Sequence, residues 1–548
     1  MPVPLSTTRL SARGAARRAR APRSLAALAA AVLAAPLLVT AAASPAAAGT
    51  TAAAAPSESP GSEGASYGSG DDGSQLAKKL VRRTGVKGAM RHMKAFQAIA
   101  THTGGGNRAA GSRGHELSAK YAGAVLKAAG YEVTYQDFEF IYRETLAEKL
   151  TVRTPGERDV PVKVMTYTKS TPEGGTEAAV TPVPVDEDGT TGCTAEDYES
   201  GDFDGRIALI QRGGCTFAEK QAAAADAGAA VAVIYNNEDG ELSGTLEEPS
   251  KGRIPTGGIT KEDGEALAAE AESGDVTVNV ELREFQEERS TPNVIAETPG
   301  GDADNVVMLG AHLDSVGEGP GMNDNASGSS GILETALQFA AAGGTKHHGE
   351  NGKGDKGSKG AKGDTGGYDG NKVRFALWTA EEVGLRGSEH YVSELSDAER
   401  KQIALYLNFD MIASPNYGLF VYDGDDSDGE GSGPGPEGSA LLERDIVDFI
   451  ASRGEEARGA DFDGRSDYGP FIEAGIPAGG SKTGAEGLKT AEEQKLWGGE
   501  ADAAYDGCYH LKCDDLGNID KKAFDLNIKV MANAVGHYSR DVSGLPRP

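Results

Sequence analysis

Three short apolar runs in this 548-residue chain end in imidazole or carboxylate groups. Residues 305–311 run into His312-Leu313-Asp314, 373–380 into Glu381-Glu382, and 403–409 into Asp410. Parallel strands of an open α/β sheet point their carboxyl ends at one crevice, where ligands bind. Groups far apart in sequence can meet there, and a His/Asp/Glu cluster so placed reads first as a metal site. Adjacent glutamates in a crevice repel each other unless a cation is present. With two metals, one of the pair can be a ligand and the other a free base. In His312-x-Asp314, the Asp can accept a hydrogen bond from the second imidazole nitrogen and fix the tautomer.

Two further segments carry candidate ligands. The stretch 321–328, GMNDNASG, places Asp324 in a Gly/Asn-rich turn ahead of a helix predicted over 331–341. A carboxylate held rigidly there can bridge two cations; capping of that helix is its structural alternative. The hexapeptide Cys508-Tyr509-His510-Leu511-Lys512-Cys513 would present His510 on a loop stiffened by a disulfide, with Tyr509 beside it.

The elements that must position these groups read as an α/β domain interrupted by a second module. Helical spacing from Leu76 to Ile99, a second helix over 116–129 stopped at Gly130, and an alternating strand over 131–135 open the domain. Between 147 and 287 short β-like runs surround one Ala-rich helix, 216–227, which marks an inserted, mainly β domain. The fold class expected is α/β. It has a mixed, largely parallel sheet flanked by helices, built from 76–146 and 288–545. Residues 343–371 are Gly-rich, with glycines at period three from Gly354 to Gly366, and read as a polar flexible loop rather than a collagen helix. His347 and His348 lie in that loop.

The first 48 residues have six arginines ahead of an apolar run over 25–39 and small residues after it, the layout of a secretory signal peptide. A single membrane anchor is the alternative reading, and Arg17-Arg18 admits a twin-arginine route. Residues 49–75, rich in Ala, Ser and Gly, read as a linker or propeptide. The first 48 residues carry six Arg and no acid, so their removal takes the formal charge from −29 to −35. That acidity opposes nucleic acid and anionic membranes. A secreted monomer, free of the membrane after signal removal, is expected. The four cysteines suggest two local disulfides, Cys193–Cys215 and Cys508–Cys513, of the three connectivities that four cysteines allow.

Taken together, five motifs resemble the M28 family of dizinc peptidases, and in particular secreted bacterial leucyl-type aminopeptidases. They are His312-x-Asp314, Gly321-x-Asn323-Asp324-Asn325-x-Ser327-Gly328, Thr379-Ala380-Glu381-Glu382-x-Gly384, Asn408-Phe409-Asp410-Met411 and Cys508-Tyr509-His510. The resemblance covers residues 76–145 and 288–540. The inserted segment resembles a protease-associated (PA) domain, through Asp204-Gly205-Arg206, Gly213-Gly214-Cys215-Thr216-Phe217 and the strand that follows its helix.

The resemblance implies two Zn²⁺ ions, one held by His312, Asp324 and Asp410 and the other by Asp324, Glu382 and His510. It implies Glu381 as general base, Asp314 orienting His312, Tyr509 donating to the developing oxyanion, and Arg465 near the substrate. The substrates implied are peptides with a free N-terminus. Two departures stand out: Tyr468 occupies a position where many relatives have His, and Ser481-Lys482 is more polar than in leucine-preferring relatives. A carboxypeptidase or dipeptidase on the same metal site is the alternative enzyme, and a non-catalytic binding protein on the same fold is the alternative class.

Overall fold

The computed structural model describes residues 71–546, apart from 103–104, 187–188, 347–366, 428 and 430–432. The expected signal peptide, nearly all of the linker, and the centre of the Gly-rich loop with His347 and His348 lie outside the described residues.

The apolar runs become strands because they can be covered on both faces. β1 (Glu132–Thr154) and β2 (Thr277–Glu297) are long; β3 (Asp302–His312), β4 (Asn371–Trp378) and β5 (Ile403–Phe409) carry the site; β6 (Phe420–Tyr422), β7 (Arg458–Ala460) and β8 (Ala478–Lys482) complete one side. Every residue of β5 is buried. That is the near-continuous apolar pattern of a parallel strand with helices on both sides. In the order β7-β6-β8-β5-β3-β4-β2, the four central strands are mutually parallel. On one face the helices Gly328–Ala342 and Lys521–Tyr538 bury Ile332, Leu333 and Met531 against Val307 and Leu309. On the other, Trp378, Tyr406 and Phe471 pack together, with Tyr406 and Phe471 stacked at 3.8 Å.

The inserted module shares this sheet. β1 and β2 pair antiparallel from Glu132↔Glu297 to Thr154↔Thr277, so the chain crosses between the modules as one continuous ribbon. The first half of β2 also pairs with the module's strand Thr176–Pro182, and Ile207–Gln211, Val231–Tyr235 and Thr256–Ile259 follow in parallel. Two helices, Phe217–Asp226 and Lys261–Ser273, join them. Both expected disulfides are formed, Cys193–Cys215 and Cys508–Cys513. Among the described residues, no helix is long and apolar enough to cross a membrane.

Candidate metal centre

Register brings the strand ends together. Trp378 of β4 lies opposite His312 of β3, and Asn408 of β5 lies opposite Gly310. Glu381-Glu382 and Asp410 therefore leave the sheet beside His312. Nε2 of His312 is 3.1 Å from Asp324 Oδ1, 3.2 Å from Asp410 Oδ1 and 3.9 Å from Glu381 Oε2. Nε2 of His510 is 2.9 Å from Glu382 Oε2 and 3.3 Å from Asp324 Oδ2. All five candidate ligands converge, and Asp324 turns one oxygen to each imidazole. Glu381 lies at the edge of the His312 set, farther from the imidazole than the other two acids. Asp314 Oδ1 faces His312 Nδ1 at 3.6 Å, too long for a hydrogen bond.

The electrostatics are those of a cluster short of positive charge. Burial pushes the Glu381 carboxyl well above the usual carboxylate range and Glu382 up to about 7. Burial alone would lower His312, yet the carboxylates of Asp410 and Glu381 outweigh it and hold the imidazole well above its ordinary value. For Asp324, burial raises the carboxyl, but the two imidazoles more than reverse that shift. Glu382 Oε1 is buried with no hydrogen-bond partner. Two imidazoles among four acids, with one acid oxygen unsatisfied, fit the N/O donor set of Zn²⁺.

Most of the residues that hold the ligands in place lie outside the motifs. Ser466 donates to Asp410 Oδ2 at 2.6 Å and is itself reached through a buried chain: Trp378 Nε1 donates to Tyr406, Tyr406 to Asn408 Oδ1, and Asn408 Nδ2 to Ser466. Asn323 and Asn325 flank Asp324 and tie its turn to the segment after β5. Asn323 Oδ1 accepts from the Ala413 amide, and Asn325 Nδ2 donates to the Phe409 carbonyl. Arg108, fully buried, donates to the carbonyls of Leu313, Pro320 and Gly321 and so braces the loop between Asp314 and Asp324. Asp467 is buried one residue beyond Ser466, and burial pushes its carboxyl up to about 8.

Asp324, Glu381, Glu382, Asp410 and His510 form one wall of a cleft of about 640 Å³. Met411, Phe420, Tyr422 and Tyr505 supply apolar surface in it, and Lys482 and Asp463 supply polar surface. Arg465 lies at the cleft. Its guanidinium donates to Tyr509 Oη at 3.2 Å and to Glu486 at 2.8 Å. The Tyr509 ring stacks on His510 at 3.8 Å. Tyr468 is buried, with its hydroxyl on Asp463, away from the candidate ligands.

The family profile for Peptidase family M28 matches residues 293–535, and that for the PA domain matches 177–267. The chain is 40% identical over 479 residues to a probable lipoprotein aminopeptidase, LpqL, of Mycobacterium tuberculosis, spanning 87% of this chain and 89% of that protein. It is 40% identical over 468 residues to leucine aminopeptidase 2 of Trichophyton rubrum, spanning 85% and 87%. Among solved structures, an aminopeptidase from Aneurinibacillus sp. strain AM-1 superposes with a TM-score of 0.58 at 27% identity, over 85% of this chain and 96% of that one. A zinc aminopeptidase from Bacillus subtilis superposes at 0.50 and 25% identity, over 83% and 96%.

Proposed function

From the premise that this chain belongs to peptidase family M28 and is an aminopeptidase, we propose that it is exported and removes N-terminal residues from peptides at a site holding two zinc ions. The observation that carries this reading is Asp324, whose two carboxylate oxygens face two separate His/carboxylate sets. His312 and Asp410 would complete one position, Glu382 and His510 the other. Held by these residues, two zinc ions would lower the pKa of a water and stabilise charge developing on the carbonyl oxygen.

The chain's own groups supply the proton transfers. Glu381 takes the proton from the attacking water on its carboxylate and gives it to the leaving amine nitrogen. Its place supports the role: it stands 3.9 Å from His312, beside the candidate ligands but outside their closest contacts. Asp314 sits behind His312, where a small shift closes its 3.6 Å gap and orients the ring. Tyr509 donates its hydroxyl proton to the carbonyl oxygen as that oxygen gains charge. Arg465 already donates to the Tyr509 oxygen, which leaves the phenol proton free to point into the cleft. The acidic wall attracts a free α-ammonium group, which makes the enzyme an exopeptidase. Two disulfides suit an oxidising, extracellular setting.

The direct test compares an aminoacyl-nitroanilide with its N-acetylated form. The free-amine substrate is expected to be cleaved and the blocked one not. Release only from the blocked substrate, or from neither, would count against this function. For Tyr509→Phe, kcat should fall by about 10²–10³-fold, the usual cost of one oxyanion donor, with KM little changed. An unchanged kcat would remove Tyr509 from the chemistry.

A further inference from the structure

We propose that Asp514 is a positioning residue that locks the His510 loop onto the Asp324 turn, and so sets the affinity of the metal position those two ligands share. The inference rests on the two-metal reading above.

His510 differs from the other candidate ligands. Its side chain is 41% exposed, against 15% or less for His312, Asp324, Glu382 and Asp410. It lies on a segment without a helix or strand, and its φ of 56° is in the left-handed region. A non-glycine residue holds that conformation only where its surroundings impose it. Something must therefore fix this loop against the floor of the site.

The disulfide does not do so. Cys508 and Cys513 bond to each other and close a ring of their own, so the bridge stiffens the loop without attaching it to the Asp324 turn. The attachment runs through Asp514. Three consecutive amides of the turn donate to this one residue. Met322 N donates to the Asp514 carbonyl at 3.0 Å, Asn323 N to Oδ1 at 2.8 Å, and Asp324 N to Oδ2 at 3.0 Å. Asn518 Nδ2 donates to the same Oδ1 at 3.0 Å. Asp514 is 2% exposed, so these bonds do not compete with water. At the other end of the loop, Asp506 accepts from Asn323 Nδ2 at 2.7 Å and from Cys508 N at 2.8 Å. Asn518 also donates to Asp506 and so links the two acids. Asp324 and His510 thus belong to one hydrogen-bonded body. Asp410, at the end of β5, is held on its other side by Ser466, and His312 sits on a central strand.

An isosteric Asp514→Asn change turns one acceptor into a donor that faces a backbone N–H. The turn itself stays braced by Arg108 and by the bonds of Asn323 and Asn325 to the segment after β5, so the change should loosen the His510 loop while leaving Asp324, β3, β5 and their ligands in place. Outer-shell partners of metal ligands typically cost about 10–100-fold in metal affinity when removed. The experiment strips the full-length protein of metal and titrates it with zinc against a competing chelator. Wild type should show two sites. Asp514→Asn should keep one at wild-type affinity and weaken the other by about 10–100-fold. Asn518→Ala, one step farther out, should weaken the same site by less. The melting temperature of the zinc-free protein should not move in step with that loss. Two unchanged sites in Asp514→Asn would overturn this inference alone. So would equal weakening of both sites together with a lower zinc-free melting temperature, the signature of general destabilisation. A wild type that binds one zinc would overturn the two-metal reading and this inference with it.

Discussion

Glu381→Gln lowers kcat by about 10²–10⁴-fold, the range a positioned general base contributes, and leaves the zinc content at its wild-type value. The two adjacent glutamates differ in placement. Glu382 Oε2 is 2.9 Å from His510, within one ligand set, whereas Glu381 stands 3.9 Å from His312, outside the close contacts of the other. Removing the charge of Glu381 should therefore cost proton transfer and not metal. Gln preserves the volume and the 3.4 Å contact between the residue 381 amide and Asp314, so the backbone has no reason to move. A loss of zinc in this variant would make Glu381 a ligand. Full activity would move the base elsewhere.

Asp324→Ala abolishes activity and takes zinc binding below one equivalent, because Asp324 alone touches both imidazoles. The change also leaves the buried His312, the half-exposed His510 and three acids without their shared partner, and removing one member of a largely buried charged network is strongly destabilising. Asp410→Ala touches only the His312 set and should leave the His510-side position able to bind. In thermal melts, saturating zinc should stabilise the wild type, by about 2.7 kcal/mol at a hundredfold excess over Kd. It should not stabilise Asp324→Ala. Retention of two zincs by Asp324→Ala would contradict the bridging role.

The strand-end groups were legible in the sequence because a parallel sheet enforces their meeting. Once residues 305–311, 373–380 and 403–409 read as neighbouring strands, His312, Glu381-Glu382 and Asp410 had to emerge on one edge. Asp324 and His510 needed the motif resemblance, since neither lies on a strand. Both disulfides followed from an even cysteine count and local spacing. The supporting residues had no such signal. Asp514 serves Asp324 from 190 positions away, Arg108 reaches the carbonyl of Leu313 across 205, and Ser466 reaches Asp410 across 56. Each is a single polar residue in a loop or turn, where sequence pattern does not tell a buried partner from a solvated one. The Asp506–Asn518 interval shows three acids and an Asn in a polar loop, an ordinary surface composition, yet the fold buries Asp506, Asp514 and Asn518. The β1–β2 ribbon was hidden for a different reason. Its central residues alternate weakly and are exposed on both faces, as at Glu144, Thr145 and Leu146, so the strand period fades where the modules join.

The proposed need for two metals held through Asp324 is tested by a zinc titration of the metal-free protein with aminoacyl-nitroanilide hydrolysis as the readout. Activity should rise with added zinc and level off at two equivalents per chain. Full activity without metal, or a plateau at one equivalent, would contradict it.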